Sequence, residues 1–295
     1  MSMPLTTPFT TLISAAQLQT LLSSQAPCMV FDCSCDLMQP AVGPAQYREA
    51  HIPGAVYAHL DNALSAKGER SITRAASGGR HPLPARDVFA SWLGSVGFSN
   101  GMQAVVYDRQ GANYCGRLWW MLKWLGHENV AVLDGGFQAW QAAGGAVASG
   151  EEAVRPVASF QIGEPLVQLV DVDTVASHLG KTTQQLLDAR GAPRFRGEVE
   201  PIDPVAGHIP GALNRPFNLN LGADGKFKDA ATLRAEFTAL LGQRKPADVV
   251  HHCGSGVSAV PNILAMEIAG LGRSALFAGS WSEWCSDPAR PVAQG

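Results

Sequence analysis

The amino-acid sequence predicts an α/β protein built from two tandem copies of one domain, each a parallel sheet with helices on both faces. The first observation is internal repetition. "HIPGAVY" at His51 returns as "HIPGALN" at His208, an offset of 157, and "MVFDCS" around Asp32 is echoed by "LLDARG" around Asp188, an offset of 156. Further on, "AVVYDRQG" sets Asp108 against Cys253 of "VVHHCGSG", and "LDGGFQAW" ends at Trp140 as "FAGSWSEW" ends at Trp284, with offsets of 145 and 144. Four matches in one order mark a duplication. The second observation is that short apolar runs alternate with helical patterns, which implies parallel strands covered on both faces. The third is length: 295 residues give each copy enough chain to bury its own core.

Along the first copy, "APCMVFDCS", "QAVVYD" and "NVAVLDG" have strand length, whereas "GRLWWMLKWLG" spaces its large apolar residues helically and ends at a glycine. The second copy repeats the pattern with "QQLLDAR", "ADVVHHC", "VPNILAMEIAGLG" and "SALFAG". The fall in offset from 157 to 145 gives the first copy about twelve extra residues, which "AKGERSITRAASGGRHP" accommodates. Small and polar residues after Trp140 read as a connector. The expected division is a first domain over 1–145, a linker over 146–160 and a second domain over 161–295.

Composition narrows the function. A net charge of −3 without a basic run argues against a nucleic-acid partner. No run reaches the ~18 apolar residues of a membrane span. The start "MSMPLTTPFTTLIS" lacks the charged and apolar regions of a signal peptide, so a cytoplasmic, reducing location is expected. The six cysteines form no CxxC pair and no His/Cys cluster at zinc spacing, so no structural metal is expected. Cys33 and Cys35 of "FDCSCD" read as buried strand or strand-end residues.

The run "VVHHCGSGVSA", residues 249–259, follows a strand with small residues and leads into a helix near Val260. In parallel sheets, ligands lie beyond the carboxyl ends of the strands, where Cys253 falls. Unpaired N–H groups of such a loop and the helix dipole make an anion cradle. A free thiol with a pKa near 8.5 is only about 3% thiolate at pH 7, and oriented N–H groups raise that fraction. Two cysteine chemistries use such a cradle. Phosphatases need an arginine fork six residues after the cysteine, where this chain has Ala259. Sulfur transfer has no such requirement.

Tandem "HIPGA" segments, "DAR", "RFRG", "CGSGVSA" and "GSWSEW" together resemble the rhodanese superfamily, over nearly the whole chain from Phe31 to Trp284. The resemblance implies two rhodanese-like domains and a cysteine that takes a sulfane sulfur from a small-molecule donor. That cysteine holds the sulfur as a persulfide and passes it to cyanide or a thiol, a thioredoxin-like thiol among them. It implies no cofactor and no metal. Asp108 stands in the place of Cys253 in the first copy, which is therefore expected to be catalytically silent.

The neutral loop Cys253, Gly254, Ser255, Gly256, Val257, Ser258 is similar to that of 3-mercaptopyruvate sulfurtransferases, whereas thiosulfate-preferring relatives carry basic residues there. The substrate-clamping arginine of the family falls on Arg194 of "RFRG". A second arginine is missing: "EVEPIDP" has Ile202 in its place, leaving Arg190, Arg196 or Arg215 to compensate. A relay proposed for the mercaptopyruvate enzymes maps onto Ser255, His81 of "GRHPLP" and Asp61 of "AHLD". The histidines His51 and His208, shared by both copies, are expected to anchor turns. Three readings follow: a mercaptopyruvate sulfurtransferase, a thiosulfate sulfurtransferase, or a non-catalytic sulfur carrier.

Overall fold

A computed structural model describes residues 8–67 and 74–295. Part of the segment expected to hold the first copy's extra residues, 68–73, lies outside them. The first sheet contains β1 (Leu12–Ile13), β2 (Cys28–Asp32), β3 (Val56–Tyr57), β4 (Gln103–Tyr107) and β5 (Val130–Leu133), in the order β1-β5-β4-β2-β3. The second contains β6 (Gln168–Leu169), β7 (Gln185–Asp188), β8 (Leu213–Asn214), β9 (Val249–His252) and β10 (Ala275–Leu276), in the order β6-β10-β9-β7-β8. All pairings between these strands are parallel, and the two orders are one topology used twice. The repeats predicted this α/β architecture correctly.

The central strands β4 and β9 are buried throughout, as apolar runs covered on both faces must be. β2 ends at Asp32, so Cys33 and Cys35 lie just beyond the strand, both packed in the core. The helix after each central strand is α4 (Cys115–Trp124) in the first copy and α9 (Val260–Ile268) in the second. Each begins where its loop ends, and Pro261 falls in the first turn of α9, where its missing N–H is harmless.

These two helices also join the copies. Val260 Cγ1 lies 3.4 Å from the position a side chain would occupy at Gly116, so the two helices pack in van der Waals contact there. Lys123 of α4 is fully buried and donates to Glu267 of α9 at 2.9 Å. One apolar core therefore runs from Trp119 and Trp120 through to Val257, Val260 and Ile263. Both loops consequently face the boundary between copies.

His51 and His208 fill the same role twice. Each Nδ1 meets a backbone carbonyl, of Tyr47 at 2.7 Å and of Phe195 at 2.8 Å, and each ring stacks on that residue. They anchor turns, as their presence in both copies predicts.

Candidate active site

Strand β9 delivers Cys253 to the carboxyl edge of the second sheet, where it is only 2% exposed. The loop is pinned from outside by α10 (Ser280–Trp284). Trp281 N–H donates to the Cys253 carbonyl at 3.0 Å, Ser282 N–H donates to that of Gly254 at 2.9 Å, and the Ser280 hydroxyl accepts the Cys253 N–H at 3.1 Å. Gly256 has a φ of +74° and lies so close to the Ala278 carbonyl that any side chain would collide with it. Among the described residues, the N–H groups from Gly254 to Ala259 have no protein acceptor.

The first copy shows what such a loop binds. Gly111, with a φ of +67°, stands at the place of Gly256, so the two loops turn alike. There the Asp108 carboxylate accepts N–H bonds from Gln110 at 2.9 Å, Ala112 at 3.1 Å, Tyr114 at 2.8 Å and Cys115 at 3.0 Å. The first cradle thus holds an anion supplied by its own chain.

Across the boundary, the first copy brings a second set of groups to Cys253. His81 Nδ1 lies 2.8 Å from Ser255 Oγ, and its Nε2 lies 3.5 Å from Asp61 Oδ1. Burial, reinforced by Arg117, Lys67 and Arg80, lowers the His81 pKa to about 3, so the ring is neutral at physiological pH. A neutral ring carries one N–H. In the tautomer where Ser255 donates to Nδ1, that hydrogen sits on Nε2, 3.5 Å from Asp61 Oδ1. Arg117, fully buried on α4, donates to the carbonyls of Leu64, His81 and Gly256 and so ties the His81 segment to the cysteine loop.

Arg194 of α7 (Ala192–Phe195) donates to Glu200 at 2.6 Å and to Asp203 at 3.2 Å, and its Nη1 turns toward Gly254. The structure gives Arg190 a different task. Its fork grips Asp188 at 2.7 Å and the Gly207 carbonyl at 2.7 Å, with Glu200 at 3.3 Å. Arg196 pairs with Glu198 and Arg215 with Glu236, so neither turns toward the loop. The place beside Arg194 belongs instead to Arg80, whose Nη2 approaches Gly254 from the first copy while its other nitrogen pairs with Asp203. Sequence reasoning missed Arg80. The available signal was its position next to His81 in "GRHPLP", since a segment that presents the histidine presents its neighbour too.

The Rhodanese-like domain family model matches residues 14–143 and again 171–287. A Pseudomonas aeruginosa protein named "Probable 3-mercaptopyruvate sulfurtransferase" is 46% identical over 286 residues, 96% of this chain and 98% of that one. The "Thiosulfate sulfurtransferase" of Bos taurus is 33% identical over 258 residues, 85% of this chain and 83% of its own. The solved "3-mercaptopyruvate sulfurtransferase from Leishmania major" superposes with a TM-score of 0.79 at 30% identity, covering 94% of this chain and 74% of that one. The chain belongs to the rhodanese family. It is a sulfurtransferase with two tandem rhodanese domains, of the 3-mercaptopyruvate or thiosulfate type. Among the described residues no helix is long and apolar enough to cross a membrane.

The buried histidines predict the acid limit of stability. Burial lowers His81 and His251 to about 3, and lowers His252 and His127 as well. Unfolded, each titrates near 6.5. Between these values the unfolded chain takes protons that the folded chain refuses, so stability is full above about pH 6.5 and falls toward pH 3. The slope reaches about 1.4 kcal/mol per pH unit for each histidine. A series of thermal midpoints should be level above pH 7 and decline below 6.5, less steeply for His251→Asn. A flat profile down to pH 5 contradicts this.

Proposed function

We propose that this enzyme takes sulfur from 3-mercaptopyruvate through a Cys253 persulfide and delivers it to a thiol or cyanide. The observation that carries the donor choice is the Ser255–His81 contact of 2.8 Å beside the cysteine. Cys253 thiolate attacks the donor sulfur, the S–C bond breaks, and its electron pair passes to the carbon as an enolate. The proton lost from the donor thiol must reach that carbon to give pyruvate. A serine backed by a neutral histidine can carry it. Thiosulfate needs no such transfer, because its S–S bond breaks directly to sulfite. Asp61 orients the ring, Arg194 binds the donor carboxylate, and the N–H groups of Gly254, Gly256, Val257 and Ser258 hold the persulfide. An acceptor thiolate then attacks the outer sulfur and frees Cys253.

The work falls to the domain over 161–295, and the domain over 1–145 remains without a nucleophile of its own. A cytoplasmic thiol of the thioredoxin type fits a small, buried persulfide as acceptor. The pair Arg80 and Arg194 also suits a dianion, which favours a weaker thiosulfate activity beside the main one.

Measuring kcat/KM for both donors with cyanide as acceptor tests the reading. Mercaptopyruvate should be the better donor, and Arg194→Ala should raise its KM by about 10-fold or more with a smaller loss in kcat. Thiosulfate preferred tenfold would overturn the donor assignment. No turnover with either donor would favour a sulfur carrier loaded by a partner protein.

A further inference from the structure

We propose that Arg80, from the first domain, supplies the second guanidinium of the donor clamp in place of the arginine absent at Ile202. This rests on the carboxylate-bearing donor proposed above. The site calls for two guanidinium groups because one bound to a carboxylate leaves the adjacent keto group and the opposite oxygen lone pairs without donors. Arg194 provides one free nitrogen: its Nε and Nη2 are held by Glu200 and Asp203, leaving Nη1, which lies 3.7 Å from the position of a side chain at Gly254, as Nη2 does. Arg80 provides the matching nitrogen. Its Nη1 is held by Asp203 and its Nη2 lies 3.1 Å from the position of a side chain at Gly254, against 3.7 Å for Arg194 Nη1. Two free guanidinium nitrogens therefore converge on the residue next to Cys253, one from each domain.

The placement is built rather than incidental. Arg80 N–H donates to Ser282 Oγ at 2.9 Å, and Gly79, with a φ of +83°, lies so close to the Gly279 carbonyl that no side chain fits between them. The first domain's segment is thus docked on α10, the helix that also pins the cysteine loop. Asp203 is nearly buried and shared by both arginines, so it sets their spacing while leaving each an outward nitrogen. Arg80 also lines, with Asp61, His81 and Ile202, a cavity of about 130 Å³ otherwise walled by first-domain residues. The segment that lacks an arginine at position 202 carries, one residue later, the carboxylate that draws an arginine in from the other domain.

Steady-state kinetics of Arg80→Ala, Arg80→Lys and the double variant Arg80→Ala/Asp203→Asn test this. The single alanine variant should raise KM for 3-mercaptopyruvate, and the inhibition constant of pyruvate, by about 10- to 100-fold. Its kcat should stay within about threefold, and KM for cyanide should not change. Arg80→Lys should fall between it and the wild type. The double variant restores the local charge without restoring a donor and should remain weak. Recovery of wild-type KM in the double variant would show that Arg80 only neutralises Asp203, and would overturn the proposal, as would an unchanged KM in Arg80→Ala. If Arg80→Ala lowers the thermal midpoint enough to obscure its kinetics, the lysine and double variants decide by the same criteria. A wild type that uses thiosulfate alone removes the donor reading instead, and Arg80 is then judged by the same rise in KM for thiosulfate.

Discussion

Cys253→Ser is expected to abolish sulfur transfer from either donor, by about 10⁴-fold or more, because a hydroxyl forms no persulfide. The substitution is close to isosteric in a loop fixed by α10, so folding should be unaffected. Ser255→Ala should behave differently. It leaves the nucleophile intact and removes the proton carrier, so mercaptopyruvate turnover should fall by about 10²- to 10⁴-fold. Thiosulfate turnover, which moves no proton in its first step, should fall far less. Mass spectrometry after donor treatment should find one added sulfur, on the peptide containing Cys253. Stable persulfide on Cys115, or turnover surviving in Cys253→Ser, would refute the assignment of the nucleophile.

Asp108→Ala is expected to be the most damaging stability change in the first domain. It removes a carboxylate that is 1% exposed and strips four N–H groups, three of them buried, of their acceptor. Each buried donor left without an acceptor costs about 1–3 kcal/mol. Ala112, held at a φ of +65° within that loop, adds a reason for the turn to loosen once its anchor is gone. Asp108→Asn keeps one acceptor oxygen and should cost less. Denaturant unfolding measures both, and a loss below about 0.5 kcal/mol in Asp108→Ala, the range of ordinary surface changes, would show that the carboxylate does not hold the loop together.

The elements legible in the sequence were those whose physics is local. Central strands β4 and β9 are continuous apolar runs, and α4 and α9 carry helical spacing, so each could be read from its own residues. The edge strands β1, β3, β6 and β8 are two residues long, too short for any period to register. The same limit applies to the site. Cys253 and its small-residue loop form one contiguous signal. Arg80 and Asp203 are 123 residues apart, and nothing local to either predicts that they meet. Arg190 shows the converse hazard: its nearness to Arg194 in sequence suggested a substrate role, but the buried Asp188 two residues earlier captures its fork.

The docking of Gly79 and Arg80 on α10 bears on how a duplicated gene divides its labour. A copy that has lost its nucleophile is usually free to drift. Here the first copy holds the histidine, the carboxylate behind it and an arginine that the second copy cannot provide for itself. Severed from them, the second copy would keep its cysteine and its ring of N–H groups, which on the proposed mechanism suffice to store sulfur but not to extract it from a carbon. On the proposed mechanism the first half is what separates an enzyme from a reservoir, and that dependence ties both halves to a common inheritance.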